Sequence, residues 1–222
     1  RSDPKAYPRN PDDEQAADAA TSALRFVADD TDMPMVSSDV WENMLIEGAG
    51  GFDVYVEPRK EGAPKVCIIA VPWDRMVWDP HARRADFSDA RYLGVVIWLD
   101  ADEAKERYPN HEDAIESTLD GNVGETFDDR PKNSGWGDAK RKRVRIVQMH
   151  WQSKRGWMMA TFTKGGFLED PQMSPYLDDE GEPECSLVFQ SAYVDRDNNR
   201  YGAVRDMIDQ QDEVNKRRSK AL

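Results

Sequence analysis

Near the N-terminus, apolar residues recur at the helical spacing of three to four positions. A first helix is predicted over Pro11–Ala28, because a proline followed by acidic residues suits the first turn of a helix. A second helix is predicted to start from a cap at Ser37 or Ser38 and to end at Gly48–Gly51. The chain is therefore expected to begin with two helices.

Short apolar runs dominate the middle of the chain, and they predict a mixed, mostly antiparallel β-sheet. The predicted strands are Phe52–Glu57, Val66–Val71, Tyr92–Leu99, Val144–Ser153, Trp157–Lys164 and Ser186–Val194. Val66–Val71 is apolar throughout, which favours a central position in the sheet. The connection Lys154–Gly156 predicts a β-hairpin, whereas the glycines and prolines of Gly165–Gly181 disfavour regular structure. Strands that follow a pair of helices indicate an α+β fold.

Helices are also predicted among and after these strands. Asp100 is placed to cap a short helix over Ala101–Tyr108, and a further helix is predicted over His111–Leu119. Residues 120–143 are rich in Gly, Asp and basic side chains and lack periodicity, which predicts a mobile loop. The last helix is predicted from Gly202 onward.

This final helix is expected to be docked over its first half only. Its apolar stripe consists of Val204, Met207, Ile208, Gln211 and Val214. Beyond that stripe the helix has little to bury, so we expect Asn215–Leu222 to project from the core and to fray. Because the chain begins at Arg1 and ends within a helical run, we expect a piece of a longer polypeptide, with one domain over 1–200 and a truncated outgoing helix over 201–222.

The 222 residues carry a formal net charge of −13. A free-standing nucleic-acid binder needs a basic face, so this charge argues against that class. Two interpretations stay open: the charge keeps the protein dispersed, or it gives a surface past which DNA slides without being gripped. Cys67 and Cys185 lie outside any metal-binding spacing, which predicts two reduced, buried thiols. No apolar run is long enough to span a bilayer.

Candidate catalytic and metal-binding patterns are weak throughout the sequence. Asp195-x-Asp197-x-Asn199 resembles the start of a calcium loop, but Arg200 occupies the position that requires glycine. The acidic run Asp178–Glu182 is more typical of a solvated turn than of an ion site. The histidines are isolated, no serine has a nucleophile-elbow setting, and no phosphate-binding loop is present. We therefore predict no enzyme, no cofactor and no metal site.

The segment between the second and third predicted strands is dense in Trp, Asp and Arg. Such a segment is costly to order unless its rings pack and its carboxylates find donors. We interpret it as a structural corner of the β-rich domain. The residues expected to anchor it are Trp73, Trp78, Asp79, Asp89 and Arg91. Replacing either tryptophan with alanine is expected to destabilise the fold if its ring is buried.

Two separated blocks of the sequence resemble the portal proteins of tailed bacteriophages, of the short-tailed podovirus type. The first reads WDP-x-A-R-x-x-D-x-S-D-A-R from Trp78 to Arg91 and is followed by a strand and by DADEAKERYP over Asp100–Pro109. The second is YGAVRDMIDQQDEVNKRRSKAL over Tyr201–Leu222. The order and spacing of the blocks are similar to those of the family, whereas residues 120–143 match no recognisable pattern.

The resemblance implies a structural subunit, chiefly the wing region of a portal, with N-terminal helices packed on the wing and a final helix that leads toward the stem. It implies a ring of twelve identical subunits at one capsid vertex, through which double-stranded DNA is packaged and later ejected. The implied partners are the terminase large subunit, the capsid and the tail or adaptor proteins, without a membrane. The implied location is the virion, after synthesis in the bacterial host cytoplasm.

The role of the cations that close the last helix stays open on the sequence alone. Lys216, Arg217, Arg218 and Lys220 suit a solvated face, a contact to an acidic neighbouring subunit or a contact to DNA. Two other classes of function also stay open. A metal-dependent nucleic-acid-processing enzyme would use clustered Asp and Glu ligands, and a small-molecule binding module would need a closed apolar pocket.

Overall fold

The computed structural model describes residues 4–58, 62, 64–120 and 135–220. Of Lys220 it describes the backbone only. The described helices are α1 (Glu14–Asp30), α2 (Met33–Ile46), α3 (Ala101–Arg107), α4 (Glu112–Asp120) and α5 (Ile208–Lys220), with 3-10 helices at Pro11–Asp13, Trp73–Arg75 and Ala203–Met207. The strands are β1 (Ala49–Glu57), β2 (Lys65–Val71), β3 (Met76–Trp78), β4 (Tyr92–Asp100), β5 (Gly137–Asp138), β6 (Arg143–Ser153), β7 (Gly156–Thr163), β8 (Gly166–Met173), β9 (Leu187–Ser191), β10 (Tyr193–Val194) and β11 (Arg200–Tyr201). The α+β prediction is confirmed.

The described strands pair antiparallel and form two main sheets. The smaller sheet has the order β2-β1-β9, and the larger has the order β3-β4-β6-β7-β8 with β5 beside the start of β6. β4 and β6 pair from Tyr92 opposite Trp151 to Asp100 opposite Arg143. The predicted hairpin is also confirmed, since Ser153 pairs with Gly156 across a two-residue turn.

Two clusters of buried side chains hold these layers together. The first joins residues of both sheets, including Val71, Leu93 and Phe189, with Phe87 of the connection between β3 and β4. The second packs α3 and α4 on the larger sheet, and its members are Leu99, Ala104, Tyr108, Ile115, Val144, Ile146 and Leu168. Complete burial of one aliphatic side chain such as Ile115 contributes about 1.5–3 kcal/mol to stability.

The second helix starts earlier than the sequence predicts. Asp32, with φ 48° in the left-handed region, precedes the first residue, Met33, and Pro34 lies in the first turn. A proline is tolerated there because its missing N–H would have no partner inside the helix. Ser37 and Ser38 therefore lie in the interior of α2 instead of capping it.

Two predictions about the strands are wrong. Val66–Val71 lies in β2 at the edge of the smaller sheet instead of at its centre. α2 packs on this sheet and Val71 joins the inter-sheet core, whereas Ile69 in the middle of the run is 45% exposed. Gly165–Gly181 contains strand β8, which pairs with β7 despite Pro171. A proline is tolerated at a sheet edge, where its position needs no ladder donor.

The loop prediction for residues 120–143 needs correction at its C-terminal end. Residues 121–134 lie outside the described chain. After them, Gly137–Asp138 forms β5 against β6, and the Arg145 N–H donates to the Trp136 carbonyl over 2.8 Å. The Asp138 carboxylate also accepts the Arg141 backbone N–H over 3.0 Å. The segment that leads into β6 is therefore ordered by hydrogen bonds.

The C-terminal helix leaves the fold earlier than predicted. Met207, Ile208 and Val214 of its apolar stripe are 59%, 54% and 46% exposed. Docking up to Val214 is therefore wrong for this chain. The packing of this end on α2 is made by the 3-10 helix Ala203–Met207, and α5 extends from that helix.

Hydrogen exchange is expected to separate α5 from the sheets in a monomeric sample. Without tertiary packing a helix of this length is marginal in water, so amides over Ile208–Lys220 should exchange at least about a hundredfold faster than those of β4 and β6. The sheets provide the internal control. Protection of α5 equal to that of β6 would contradict the exposed helix.

Candidate structural corner and C-terminal bracket

The connection between β3 and β4, residues 79–91, is here called the corner loop, and two of its own carboxylates hold its backbone. Buried Asp79 accepts the backbone N–H groups of His81 over 2.9 Å and Arg91 over 3.1 Å. Asp89 accepts the Arg83 N–H over 2.7 Å and that of the following residue over 3.2 Å. These donors lower the pKa of both carboxyl groups, led by the N–H of His81 for Asp79 and of Arg83 for Asp89.

A third carboxylate lies on the outer side of the corner loop. Asp86 accepts the backbone N–H and the hydroxyl of Ser88, and the Arg84 guanidinium donates to both of its oxygens. Led by the Ser88 N–H, these contacts lower the pKa of Asp86 to about 2. The three carboxylates of the loop are therefore occupied as acceptors of protein hydrogen bonds.

The inner side of the corner loop is aromatic. Phe87 is buried, with edge-to-face contacts to Trp78 at 5.8 Å and to Phe189 at 6.1 Å between ring centroids. Its φ of 55° lies in the left-handed region, which is unusual for a bulky residue and costs on the order of 1–3 kcal/mol. Burial of the ring in the inter-sheet core offsets that cost.

Arg200, at the start of β11, joins the C-terminal end of the chain to the corner loop. Its guanidinium donates to the carbonyls of Arg84 at 3.1 Å and Ala82 at 3.0 Å and to the Ser191 hydroxyl at 2.6 Å. It also lies over the Phe87 ring at 3.9 Å from the centroid. Arg200 directly precedes the second of the two blocks that carry the family resemblance, and it contacts residues of the first block. On the sequence alone, Arg200 counted only as a departure from a calcium loop.

Two glycines bring the same C-terminal end against α2. Gly48 has φ 93°, and a Cβ there would lie 2.3 Å from the Tyr201 carbonyl carbon. A Cβ at Gly202 would lie 2.2 Å from the Leu45 carbonyl oxygen. Backbone therefore approaches backbone at both points, which fixes where the 3-10 helix before α5 begins. We call Arg200, Gly48 and Gly202 together the bracket.

The two tryptophans expected to anchor the corner have different environments. Trp78 is half-buried and packs against the inter-sheet core. Trp73 is 41% exposed, and its backbone N–H, not its ring, makes the contact to the Asn43 side-chain oxygen at 3.3 Å. The side chain of Arg91 is also exposed, and this residue holds the loop through its backbone. The ring of Trp73 is thus not buried, and its role as an anchor stays a prediction.

Alanine substitutions are expected to separate these two residues. Trp78→Ala should lower the free energy of unfolding by about 2 kcal/mol, because it removes a half-buried ring from the core. Trp73→Ala should cost less than about 1 kcal/mol, because water already reaches its ring. Urea denaturation measures both, each variant serving as the control for the other. An equal loss in the two variants would contradict the assigned environments.

A buried polar group that the sequence did not reveal joins the two sheets. The Ser186 hydroxyl donates to Asp53 over 3.0 Å, and its oxygen lies 3.4 Å from Nε2 of His150. These side chains are 4%, 6% and 0% exposed, respectively. Serine lies between the other two, whereas in a hydrolytic triad histidine lies between serine and the acid. The order and the burial of these residues argue for a structural role.

The acidic patterns considered for metal binding are occupied by their own turns. Asp195 accepts the backbone N–H groups of Asp197 and Asn199, and its carboxylate pairs with Arg205 at 3.6 Å. Asp178 accepts two backbone N–H groups of the turn that follows it. Across residues 4–58, 62, 64–120 and 135–220, no group of three His, Cys, Asp or Glu side chains is arranged to hold a metal ion.

Further sequence predictions concern the thiols, membrane spans and the C-terminal cations. Cys67 is buried and Cys185 half-buried, and both are free thiols. None of the described helices is long and apolar enough to cross a membrane. Arg217 forms an ion pair with Glu213 within α5, and the exposed Lys216 and Arg218 flank it. The Lys220 side chain lies outside the described part of the chain.

A family model described as Phage P22-like portal protein matches residues 1–222. No curated protein matches the chain.

Proposed function

Because the chain belongs to the phage P22-like portal protein family, we propose that it is a wing segment of the portal ring through which double-stranded DNA enters and leaves the capsid. Membership itself gives the structural role at the capsid vertex. The proposal adds a ring of twelve subunits, docking of the terminase large subunit and of tail or adaptor proteins, and a final helix that leads toward the stem. The virion is the proposed location, after synthesis in the host cytoplasm.

The observation that carries this proposal is the exposed helix that leaves a rigid corner. The carboxylates of the corner loop are occupied, Phe87 is buried, and Arg200 joins the loop to β11. α5 then begins a few residues after Gly202 and exposes its apolar stripe. Such an arrangement suits a structural element that sets the position of the next segment in a larger assembly. A role of this kind requires no catalytic residue.

Electron microscopy of the full-length protein tests the proposal. Class averages viewed along the axis are expected to show rings with a central hole, and the mass of the assembly should correspond to twelve subunits. Antibody raised against this chain should label a single vertex of phage particles. Labelling spread over all vertices, or the absence of rings, would contradict the proposed function.

The alternative of a metal-dependent nucleic-acid-processing enzyme receives no support from its candidate ligands. Asp195 and Asp178 are held by backbone donors of their own turns. We expect pure protein with magnesium to hydrolyse neither ATP nor DNA. Turnover that disappears in Asp195→Asn, while the matched variant Asp170→Asn at an exposed position of β8 keeps it, would support the enzyme instead.

A further inference from the structure

The N-terminal helical region, residues 11–47, accounts for most of the net negative charge of the chain. Residues 11–47 contain ten Asp and Glu side chains and one basic residue, Arg25, a formal charge of −9 out of −13 for the whole sequence. All ten acidic side chains are exposed. Asp30 forms an ion pair with Lys65 at 3.4 Å. Like charges at this density repel one another, which costs stability unless a cationic surface covers them.

The same helices expose large apolar side chains. Phe26 of α1 is 70% exposed, and Met35 and Trp41 of α2 are 61% and 59% exposed. The same helix carries two exposed acidic residues, Asp39 and Glu42, on either side of Trp41 in the sequence. Large apolar side chains rimmed by charge are typical of protein–protein contacts, in which aromatic residues are enriched.

α5 has the complementary character. Ile208 and Val214 expose apolar surface on it, and Arg218 follows Val214 by four residues on the same side of the helix. Lys216, Arg217 and Arg218 place positive charge in its second half. Asp209, Asp212 and Glu213 make the first half of the helix acidic, so its second half, from Val214 onward, is the part opposite in sign to the surface of α1 and α2.

We propose that α5 of one copy of this chain docks on the acidic, apolar surface of α1 and α2 of a second copy. Charge complementarity selects this occupant, because the chain carries both halves of the contact on different elements. The two surfaces differ, so the contact is heterologous and repeats from copy to copy, closing into a ring if the rotation permits. Closure of that ring rests on the proposed function, whereas the contact itself does not.

Pairing of α5 with another α5 explains less. Its acidic first half, which contains Asp209, Asp212 and Glu213, would meet a basic second half if two such helices ran antiparallel. That arrangement leaves Phe26 and Trp41 exposed to water. Docking of the second half of α5 on α1 and α2 brings its cations to the acidic surface and Val214 to the exposed apolar side chains there.

A charge-swap experiment on the chain tests the contact. In Lys216→Glu/Arg218→Glu, α5 becomes acidic while the Arg217–Glu213 pair is preserved. In Asp39→Lys/Glu42→Lys, both acidic residues of α2 become basic. Each variant should raise the dissociation constant between copies about tenfold, measured by sedimentation velocity at low salt. The combined four-residue variant should restore the association, because the opposite charges again face each other.

The matched control reverses two cations elsewhere. Lys154→Glu/Arg155→Glu makes the same change in net charge at the exposed turn between β6 and β7, and it should leave the association unchanged. If the combined variant failed to restore the association, the proposed contact would be overturned. That failure is the result expected if α5 helices pair with one another. A wild-type chain that stays monomeric at its highest soluble concentration would also overturn it, as would loss of DNA-oligonucleotide binding in Lys216→Glu/Arg218→Glu with unchanged self-association.

Failure of this contact is distinguishable from failure of the proposed function. Rings of the full-length protein, together with unchanged self-association of Lys216→Glu/Arg218→Glu, would remove the contact and keep the portal role. Absence of rings, together with a successful charge swap, would keep the contact and remove the ring.

Discussion

Replacing Arg200 with alanine is expected to lower the free energy of unfolding by about 2–4 kcal/mol, because three hydrogen-bond acceptors lose a charged donor at once. The Phe87 ring also loses the guanidinium that lies 3.9 Å from its centroid. Two of the acceptors are carbonyls of the corner loop, so the loss should loosen that loop and the start of the final helix together.

Two further variants make this prediction specific. Arg200→Lys keeps the charge but not the planar fork, so it should recover less than half of the lost stability. Arg196→Ala removes an exposed arginine four positions earlier and should change stability by less than about 0.5 kcal/mol. Urea denaturation measures the free energy of unfolding of all three variants, provided that its dependence on urea concentration has the same slope as in the wild type. Full stability in Arg200→Ala would show that the bracket does not depend on this side chain.

The buried contact between the sheets is expected to make stability depend on acid pH through His150. Burial lowers the pKa of His150 to about 4, whereas an unfolded histidine titrates near ~6.5. Below pH ~6.5 the unfolded chain therefore binds the proton more readily than the folded chain. The contribution of neutral His150 is complete above that pH and is lost as the pH falls toward 4. The expected loss between pH 7 and pH 4 is about 3 kcal/mol.

The neighbouring carboxyl group, that of Asp53, has the opposite effect on stability at acid pH. Burial raises the pKa of Asp53, so as the pH falls through this raised value the folded chain takes up a proton before the unfolded chain does. Protonation of Asp53 thus favours the folded state in the acid range. Tyr176 and Cys185 also interact with this carboxylate. The measured pH dependence of the wild type is the sum of these contributions, which single variants separate.

His150→Gln is the decisive variant, because it keeps a polar side chain that does not titrate. Its free energy of unfolding should fall about 3 kcal/mol less than that of the wild type between pH 7 and pH 4, in urea titrations at each pH. His81→Gln removes an exposed histidine and should follow the wild-type curve. An identical pH dependence in wild type and His150→Gln would show that His150 is not held neutral by burial.

The sequence was most informative where one local signal decided the structure. Apolar periodicity determined α1, β4 and the β6–β7 hairpin, because side-chain spacing and a two-residue turn are properties of neighbouring residues. It was less reliable for β2, whose apolar run predicted a central strand although β2 lies at the edge of its sheet with Ile69 45% exposed. The position of a strand in a sheet depends on which distant strands pair with it, which an apolar run does not encode.

By itself, the sequence determined the α+β class, the family and the acidic character of the chain, because residue order, composition and charge are read without knowledge of contacts. Only the tertiary structure decided which residues act together. It joined Arg200 to the corner loop over 100 positions away, placed Ser186 between Asp53 and His150, and left α5 exposed. The physical reason is that hydrogen bonding and burial depend on distance in space, and no local pattern encodes which distant segments will meet.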